Sequence, residues 1–312
     1  MASGSGFVIE TESLCKAYGE IRALNEISLQ VPEGSIFGFL GPNGAGKTTT
    51  IRILMGFTRA TSGRATVFGH DSWADGVAVR SRIGYLVTAD ALYPDLSGDD
   101  QLAFAASISG REPVWRGRLL DALELDRKVL DRRLGTYSKG MRQKLALVAS
   151  AQHAPELLVF DEPTDGLDPL IQRNFAELLR DFRAEGTTVF MSSHDLGEVE
   201  RLCDHVAVVR AGRLIAGGSM AELKQQYAQR VEVTFADAVP GGIDDIVGAR
   251  LIERNGTMVT LHVDHDFNSM LRFLAGHDVV RMEIRPPELQ EVFMSYYESG
   301  DSPSLPDGAT TR

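Results

Sequence analysis

The sequence predicts an α/β domain built on a mainly parallel sheet, with a helical insertion and a small α+β module after it. Three observations carry that expectation. From about residue 7 to residue 225, short apolar runs of strand length alternate with helix-length stretches. Within that region a glycine-rich loop, residues 41–48, separates an apolar run from a helical one. After about residue 226 the texture changes to four short strand-like runs with helical segments between them.

The elements follow from local pattern. Residues 35–40 read as a strand and 47–55 as a helix. Residues 157–160, Leu-Leu-Val-Phe, form an uninterrupted apolar run, the mark of a strand buried on both faces. Residues 170–185 read as a helix and 187–192 as the next strand. Two further strands, 205–210 and 213–216, flank a turn at Ala211-Gly212. Between residues 88 and 151 the strand signal fades and helical periodicity takes over. Ser97 offers an N-cap there, with Asp99 and Asp100 in the first turn. That stretch is read as a helical insertion, too short and too poor in heptads for a coiled-coil arm.

In the second part, 231–235, 249–253, 258–263 and 279–284 read as strands, with helical segments at 244–247 and 268–274. The order β-α-β-β-α-β fits a split βαβ module. A helix is expected from Pro286-Pro287 to about residue 298, and a disordered tail over 299–312. The domain expectation is therefore 7–225, with the insertion at 88–151, then 226–298.

Composition narrows the partners. Acidic residues outnumber basic ones 43 to 32, for a net charge of −11, which argues against nucleic acid. The two cysteines, Cys15 and Cys203, have no metal-ligand spacing and read as reduced thiols. No apolar run approaches the ~18 residues of a membrane span. The first residues lack a charged-then-apolar leader pattern, so the chain is expected to be neither inserted nor exported by itself.

The strongest chemical signal is the loop Gly41-Pro42-Asn43-Gly44-Ala45-Gly46-Lys47-Thr48, which matches G-x-x-x-x-G-K-[ST] and is followed by Thr49. Its glycines let successive N–H groups turn inward on an anion, and the following helix offers unpaired N–H groups and its positive dipole end. Lys47 adds a full charge toward the outer phosphates of a nucleotide, and Thr48 a hydroxyl for Mg²⁺. Asp161 and Glu162 end an apolar strand, at the edge where open α/β sheets bind ligands. Asp161 suits the Mg²⁺ shell, and Glu162 suits the base that polarises an attacking water.

Three weaker signals point the same way. Ser138 and Gly140, in Tyr-Ser-Lys-Gly-Met, open a helix and could form a second anion-binding helix start. No second lysine loop exists in the chain, so such an element makes sense if it serves the nucleotide held by another copy. His194, leaving a strand within Ser-Ser-His-Asp, could hydrogen-bond a γ-phosphate. Tyr18, ahead of the first strand, could stack on an adenine.

Together these residues resemble the ATP-binding subunit of an ABC transporter, a P-loop NTPase. Six motifs occur in that family's order: Tyr18, the Walker A loop 41–48, Ile83-Gly84-Tyr85-Leu86, the signature 137–141, the Walker B strand ending in Asp161-Glu162, and His194. Asp165-Gly166-Leu167-Asp168 resembles the D-loop, which would bring Asp168 near a dimer interface. Pro286-Pro287-Glu288-Leu289-Gln290-Glu291-Val292-Phe293 resembles the ending of ATPases paired with ABC-2-type membrane subunits, among them drug exporters of the daunorubicin-resistance type. The sequence departs from the family twice. Thr88 stands where a metal-sensing Gln is usual, and the signature reads Tyr-Ser-Lys-Gly-Met rather than Leu-Ser-Gly-Gly-Gln.

The resemblance implies ATP and Mg²⁺ as cofactors, with Thr48, Asp161 and Thr88 toward the metal. It also implies a homodimer or paired ATPase half in the ATP state, a separate transmembrane permease subunit, and a cytoplasmic location, peripheral at the inner face of the cell membrane through that permease. The residues about 93–96 are the expected permease contact. A nucleotide-sensing regulator and a non-transport ATPase acting on ribosomes or DNA remain the alternatives at this point.

Overall fold

The computed structural model describes residues 6–86, 91–226, 229–263 and 267–285. Thr88, the expected helix 286–298 and the tail 299–312 lie outside them. The described chain divides into two units, one reaching Gly218 and the other starting at Ser219. That division falls a few residues before the change of texture expected at 225–226.

The first unit opens with β1 (Phe7–Tyr18) and β2 (Ile21–Pro32), paired antiparallel around a tight turn. The sequence reading placed Tyr18 ahead of the first strand; it is instead the last residue of β1. The reason lies in broken periodicity. The pairing of β1 and β2 shifts register four times, and Ser13 (φ +41°) and Glu26 (φ +59°) are left-handed, so inward and outward residues do not alternate cleanly.

Next come β3 (Ile36–Leu40), α1 (Lys47–Leu54), β4 (Ser62–Val67), β5 (His70–Asp71), α2 (Gly76–Arg80) and β6 (Ile83–Tyr85). The helical insertion holds α3 (Gly98–Ser109), α4 (Arg116–Ala122), α5 (Arg127–Leu130) and α6 (Lys139–Ala151). Ser97 caps α3 by accepting from the Asp100 N–H, as its position before two aspartates suggested. The chain then returns through β7 (Leu157–Asp161), α7 (Pro169–Ala184), β8 (Thr188–Ser193), α8 (Leu196–Leu202), β9 (His205–Arg210) and β10 (Arg213–Ser219). The hairpin between the last two turns on Ala211 (φ +48°) and Gly212 (φ +74°), both left-handed as a two-residue hairpin loop requires.

Two sheets result. One is the four-stranded β2-β1-β4-β5; the other has six strands in the order β10-β9-β3-β8-β7-β6. In the larger sheet β3 pairs parallel with both β8 and β9, and β7 pairs parallel with β8 and β6. Every residue of β3 and β8 is buried, the condition of a parallel sheet covered on both faces. Leu14, Ile27 and Val31 from the smaller sheet, Ile51 and Leu54 from α1, and Phe39 and Phe190 from the larger sheet share one apolar core. The insertion is fastened to α7 by Trp115, whose ring stacks on Phe182 at 3.6 Å between centroids.

The second unit holds α9 (Met220–Gln226), β11 (Gln229–Phe235), β12 (Ala249–Asn255), β13 (Met258–Val263), α10 (Asn268–Leu274) and β14 (Val279–Arg285). Its strand order is β12-β13-β11-β14, with every pair antiparallel. That is the split βαβ arrangement. The helical segment expected at 244–247 is a single 3₁₀ turn, Ile243–Asp245. Left-handed glycines, Gly242 and Gly248, bracket it and leave no room for a full α turn to propagate. Val231, Val233, Leu261, Met270 and Leu274 form this unit's own core.

Candidate active site

The parallel sheet explains why distant residues meet. β3, β7 and β8 are neighbours running the same way, so their C-terminal ends lie at one edge. From β3 the chain enters the glycine loop; β7 ends on Asp161, next to Glu162; β8 ends on Ser193, next to His194.

The loop is shaped by what surrounds it. Gly41 donates its N–H to the Ser193 carbonyl at 3.1 Å, and a Cβ there would lie 2.3 Å from the Val209 carbonyl oxygen. Gly46, at φ +111°, precedes α1, and a Cβ there would strike Leu24 at 2.6 Å. Only glycine fits either position. α1 then begins at Lys47, so its first N–H groups point at the loop's concavity.

Lys47 is 5% exposed and its ammonium is fully engaged. It donates to the Gly41 carbonyl at 2.5 Å and the Pro42 carbonyl at 3.3 Å, and lies 3.0 Å from Glu162 Oε1. That carboxylate oxygen is out of solvent and has no aligned hydrogen-bond donor, so the Lys47 charge is what compensates it. The other oxygen, Oε2, accepts from His194 Nδ1 at 2.8 Å. Glu162 itself is left-handed at φ +50°, a strained conformation for a side-chain-bearing residue. Its N–H donates to Ser192 Oγ at 3.1 Å, which helps hold it there.

Asp161 accepts two hydroxyl hydrogen bonds, from Thr48 Oγ1 to Oδ2 at 2.7 Å and from Ser192 Oγ to Oδ1 at 2.5 Å. Thus Ser192, on the neighbouring strand, orients both acidic residues. Behind them sits the buried carboxyl of Glu198, which accepts from Thr164 and from Ser193, both at 2.6 Å. Burial pushes Glu198 above the usual carboxylate range; the two hydroxyls oppose that, and the charges of Asp195 and Glu162 add to it.

A cavity of about 460 Å³ opens over these groups. Pro42, Asn43, Gly44, Gly46, Lys47, Thr48, Thr49, Asp161 and Glu162 all line it, with Ala23, Leu86, Lys139, Gln143 and Asp165. The signature residues Ser138 and Gly140 are not among its lining. Ser138 caps α6, its Oγ accepting from the Met141 N–H at 3.2 Å. Gly140 abuts the loop after Glu162: a Cβ there would lie 3.1 Å from the Gly166 carbonyl oxygen. Asp168 caps α7 through the Ile171 N–H at 3.0 Å. Tyr18 is half-exposed, does not line the cavity, and carries Lys16 over its ring at 4.8 Å. No group of three or more His, Cys, Asp or Glu that could hold a metal by themselves occurs among the described residues.

Sequence reasoning missed Ser192, Gln143 and Glu198. Gln143 donates to the Pro163 carbonyl at 2.8 Å and so ties the signature helix to the segment after Glu162. All three act through contacts 20 or more positions away or across strands, which no local spacing encodes.

Comparison with known proteins places this geometry. The ABC transporter family matches residues 24–165, and a domain described as ATP-binding protein DrrA1-3-like, C-terminal domain, matches residues 218–297. The chain is 35% identical over 237 residues to the bacitracin transport ATP-binding protein BcrA of Bacillus licheniformis, covering 74% of this chain and 76% of that one. It is 39% identical over 227 residues to the daunorubicin/doxorubicin resistance ATP-binding protein DrrA of Streptomyces peucetius, covering 72% and 68%. With the daunorubicin resistance ATP-binding protein DrrA3 of Streptomyces coeruleorubidus it shares 34% identity over 316 residues, covering 94% and 96%. A solved ATP-binding subunit of an ABC transporter superposes with a TM-score of 0.64 at 30% identity, covering 70% of this chain and 92% of that one. The chain belongs to the ABC transporter ATP-binding proteins and is an ATPase of their exporter group, carrying the DrrA-like C-terminal domain.

Proposed function

We propose that this ATPase works as two copies closed over ATP, each site built from the 41–49 loop of one copy and Ser138 and Gly140 of the other, and that it drives a separate ABC-2-type membrane permease. The observation that carries this reading is the division of anion-binding elements within one chain. The glycine loop, Asp161 and Glu162 line one cavity, while Ser138 and Gly140 do not contribute to its lining. A helix start capped by a serine, with no lysine loop of its own to serve, is complete only against the ATP of a second copy. Asp168, capping α7 one loop beyond Glu162, would lie near that interface.

The residues fit a magnesium ion. Thr48 and Asp161 present a hydroxyl and a carboxylate, hard oxygen donors already 2.7 Å apart beside the phosphate loop. Such an ion would neutralise charge building on the β- and γ-phosphates. The chain's own residues do the rest. Glu162 is held by Lys47 and by His194 at 3.0 and 2.8 Å. A γ-phosphate competes for both of those groups. Its arrival would free the Glu162 carboxylate to take a proton from the attacking water while His194 turns to the phosphate. The protein thus supplies position and charge rather than covalent chemistry.

The permease contact is read at a second cavity of about 520 Å³ beside β6, lined by Ile83, Tyr85, Leu92, Tyr93, Phe104 and Ile108 among others. Tyr93 and Ile108 are exposed apolar side chains on its rim, and Tyr93 meets Phe104 edge to face at 5.6 Å. An apolar cytoplasmic helix of the permease suits this groove, and membrane attachment would follow from it. No described helix of the chain itself is long and apolar enough to cross a membrane.

Glu162→Gln tests the reading. It is expected to bind ATP as the parent does, to hydrolyse it about 10²- to 10⁴-fold more slowly, and to accumulate as a dimer with ATP by light scattering. Turnover close to the parent rate would remove Glu162 from the role of base.

A further inference from the structure

Glu198 lies in the first turn of α8, three positions beyond the Asp195 cap. A glutamate so placed ordinarily reaches back to the N–H of the cap residue. Here that N–H goes to Ser193 Oγ at 3.0 Å. The cap itself is made by Asp195 Oδ1, which accepts from the Glu198 N–H at 3.2 Å. The Glu198 carboxyl is therefore not needed to start the helix, and it turns inward, with the residue only 8% exposed.

Its two oxygens go to two different segments. Oε1 accepts from Thr164 Oγ1 and Oε2 from Ser193 Oγ, both at 2.6 Å. Thr164 stands two residues after Glu162, and Ser193 immediately precedes His194. The circuit closes on its far side, where His194 Nδ1 meets Glu162 Oε2 at 2.8 Å. Ser193 brings in a third segment, because its carbonyl accepts from the Gly41 N–H of the glycine loop at 3.1 Å. One buried carboxyl thus braces the turn after Glu162 against the strand end that carries His194.

Packing alone does not call for an acid at this position. The charges that act on the carboxyl are those of Asp195 and Glu162, both of its own sign. Burying an acid among like charges is costly even with two hydroxyls to offset it. Groups held at such a cost collect at functional sites.

We propose that Glu198 is a positioning residue for ATP hydrolysis: by bridging Thr164 and Ser193 it fixes the spacing between the 162–164 turn and the end of β8, and so holds Glu162 and His194 in register over the glycine loop. The inference rests on the reading of Glu162 as the base. Glu198 does not line the cavity, so it acts through its two neighbours and belongs to the rate of the chemical step rather than to ATP binding.

The test is steady-state hydrolysis by the full chain, with ATP affinity measured separately by calorimetry. Glu198→Ala breaks both bonds and should lower kcat about tenfold or more, because small misplacements of reacting groups cost that much in rate. Its affinity for ATP should stay within about twofold of the parent, the mark of an interaction that serves the transition state. Glu198→Gln keeps the length of the side chain. Its carbonyl can accept from Ser193 and its amide donate to Thr164 Oγ1, since a hydroxyl both donates and accepts. It should recover most of the lost rate. Thr164→Val keeps the shape and removes one hydroxyl, so it should lower kcat in the same sense. The double variant E198A/T164V should be no slower than Glu198→Ala, because both changes break one bridge. Thr164→Val carries the test by itself where Glu198→Ala does not fold. The parent's kcat in either single variant overturns the proposal. So does a loss of ATP affinity as large as the loss of kcat, a Gln variant as slow as the Ala variant, or additive losses in the double variant. Glu162→Gln, assayed alongside, separates the two readings. Retained turnover there removes the base. An inactive Glu162→Gln beside a Glu198→Ala at the parent rate removes only the bridge.

Discussion

Glu162 and Lys47 face each other across 3.0 Å, an ion pair beside the glycine loop. Lys47→Ala removes the charge proposed to meet the phosphates, and no saturable ATP binding should remain by calorimetry; unchanged affinity would contradict that role. Glu198 makes a different prediction. Its carboxyl is pushed above the ordinary value by burial, so the folded state binds its proton more tightly than the unfolded state. Its contribution to stability is therefore fully present below the ordinary carboxylate pKa and is lost as pH rises through the raised folded value. Glu198→Gln should flatten that fall in a plot of thermal midpoint against pH; an unchanged slope would assign it to other groups. At this scale the sequence made Lys47, Thr48, Asp161, Glu162 and His194 legible, because fixed spacing and strand-end position betray them. Ser192 and Glu198 were hidden, because their roles depend on which strand lies alongside and which loop folds over.

Elements were legible where one period dominates. α7, with Phe175, Leu178, Leu179 and Phe182 buried on one face, was read within a residue of its bounds, as was β7, apolar in all but its last residue, Asp161. β1 and β2 were not assigned, because left-handed residues and register shifts erase their alternation. The second sheet they belong to went unanticipated for the same reason. α7 also shows what fastens the insertion to the core. Its Phe182 is fully buried and stacks on Trp115. Phe182→Ala should cost about 3–5 kcal/mol of stability, measured by chemical denaturation. A loss under ~1 kcal/mol would mean that the stack adds little beyond the surrounding packing.

At the scale of the molecule, the sequence pointed to two units and to a half-site. The proposed half-site follows from counting: one lysine loop, and one serine-capped helix start whose Ser138 and Gly140 do not line that loop's cavity. What could not be read was the order of the strands, since order depends on pairing between distant segments. The central claim is that ATP is hydrolysed at a site shared by two copies. The direct measurement is steady-state hydrolysis by mixed variants. Lys47→Ala and Gly140→Asp each disable one half of the shared site, so either alone should be inactive. Mixed in equal amounts, they form pairs in which one site joins an intact loop to an intact Ser138–Gly140 helix start. The account predicts that the mixture regains ATPase activity above both parents. A mixture as inactive as its parents would contradict it.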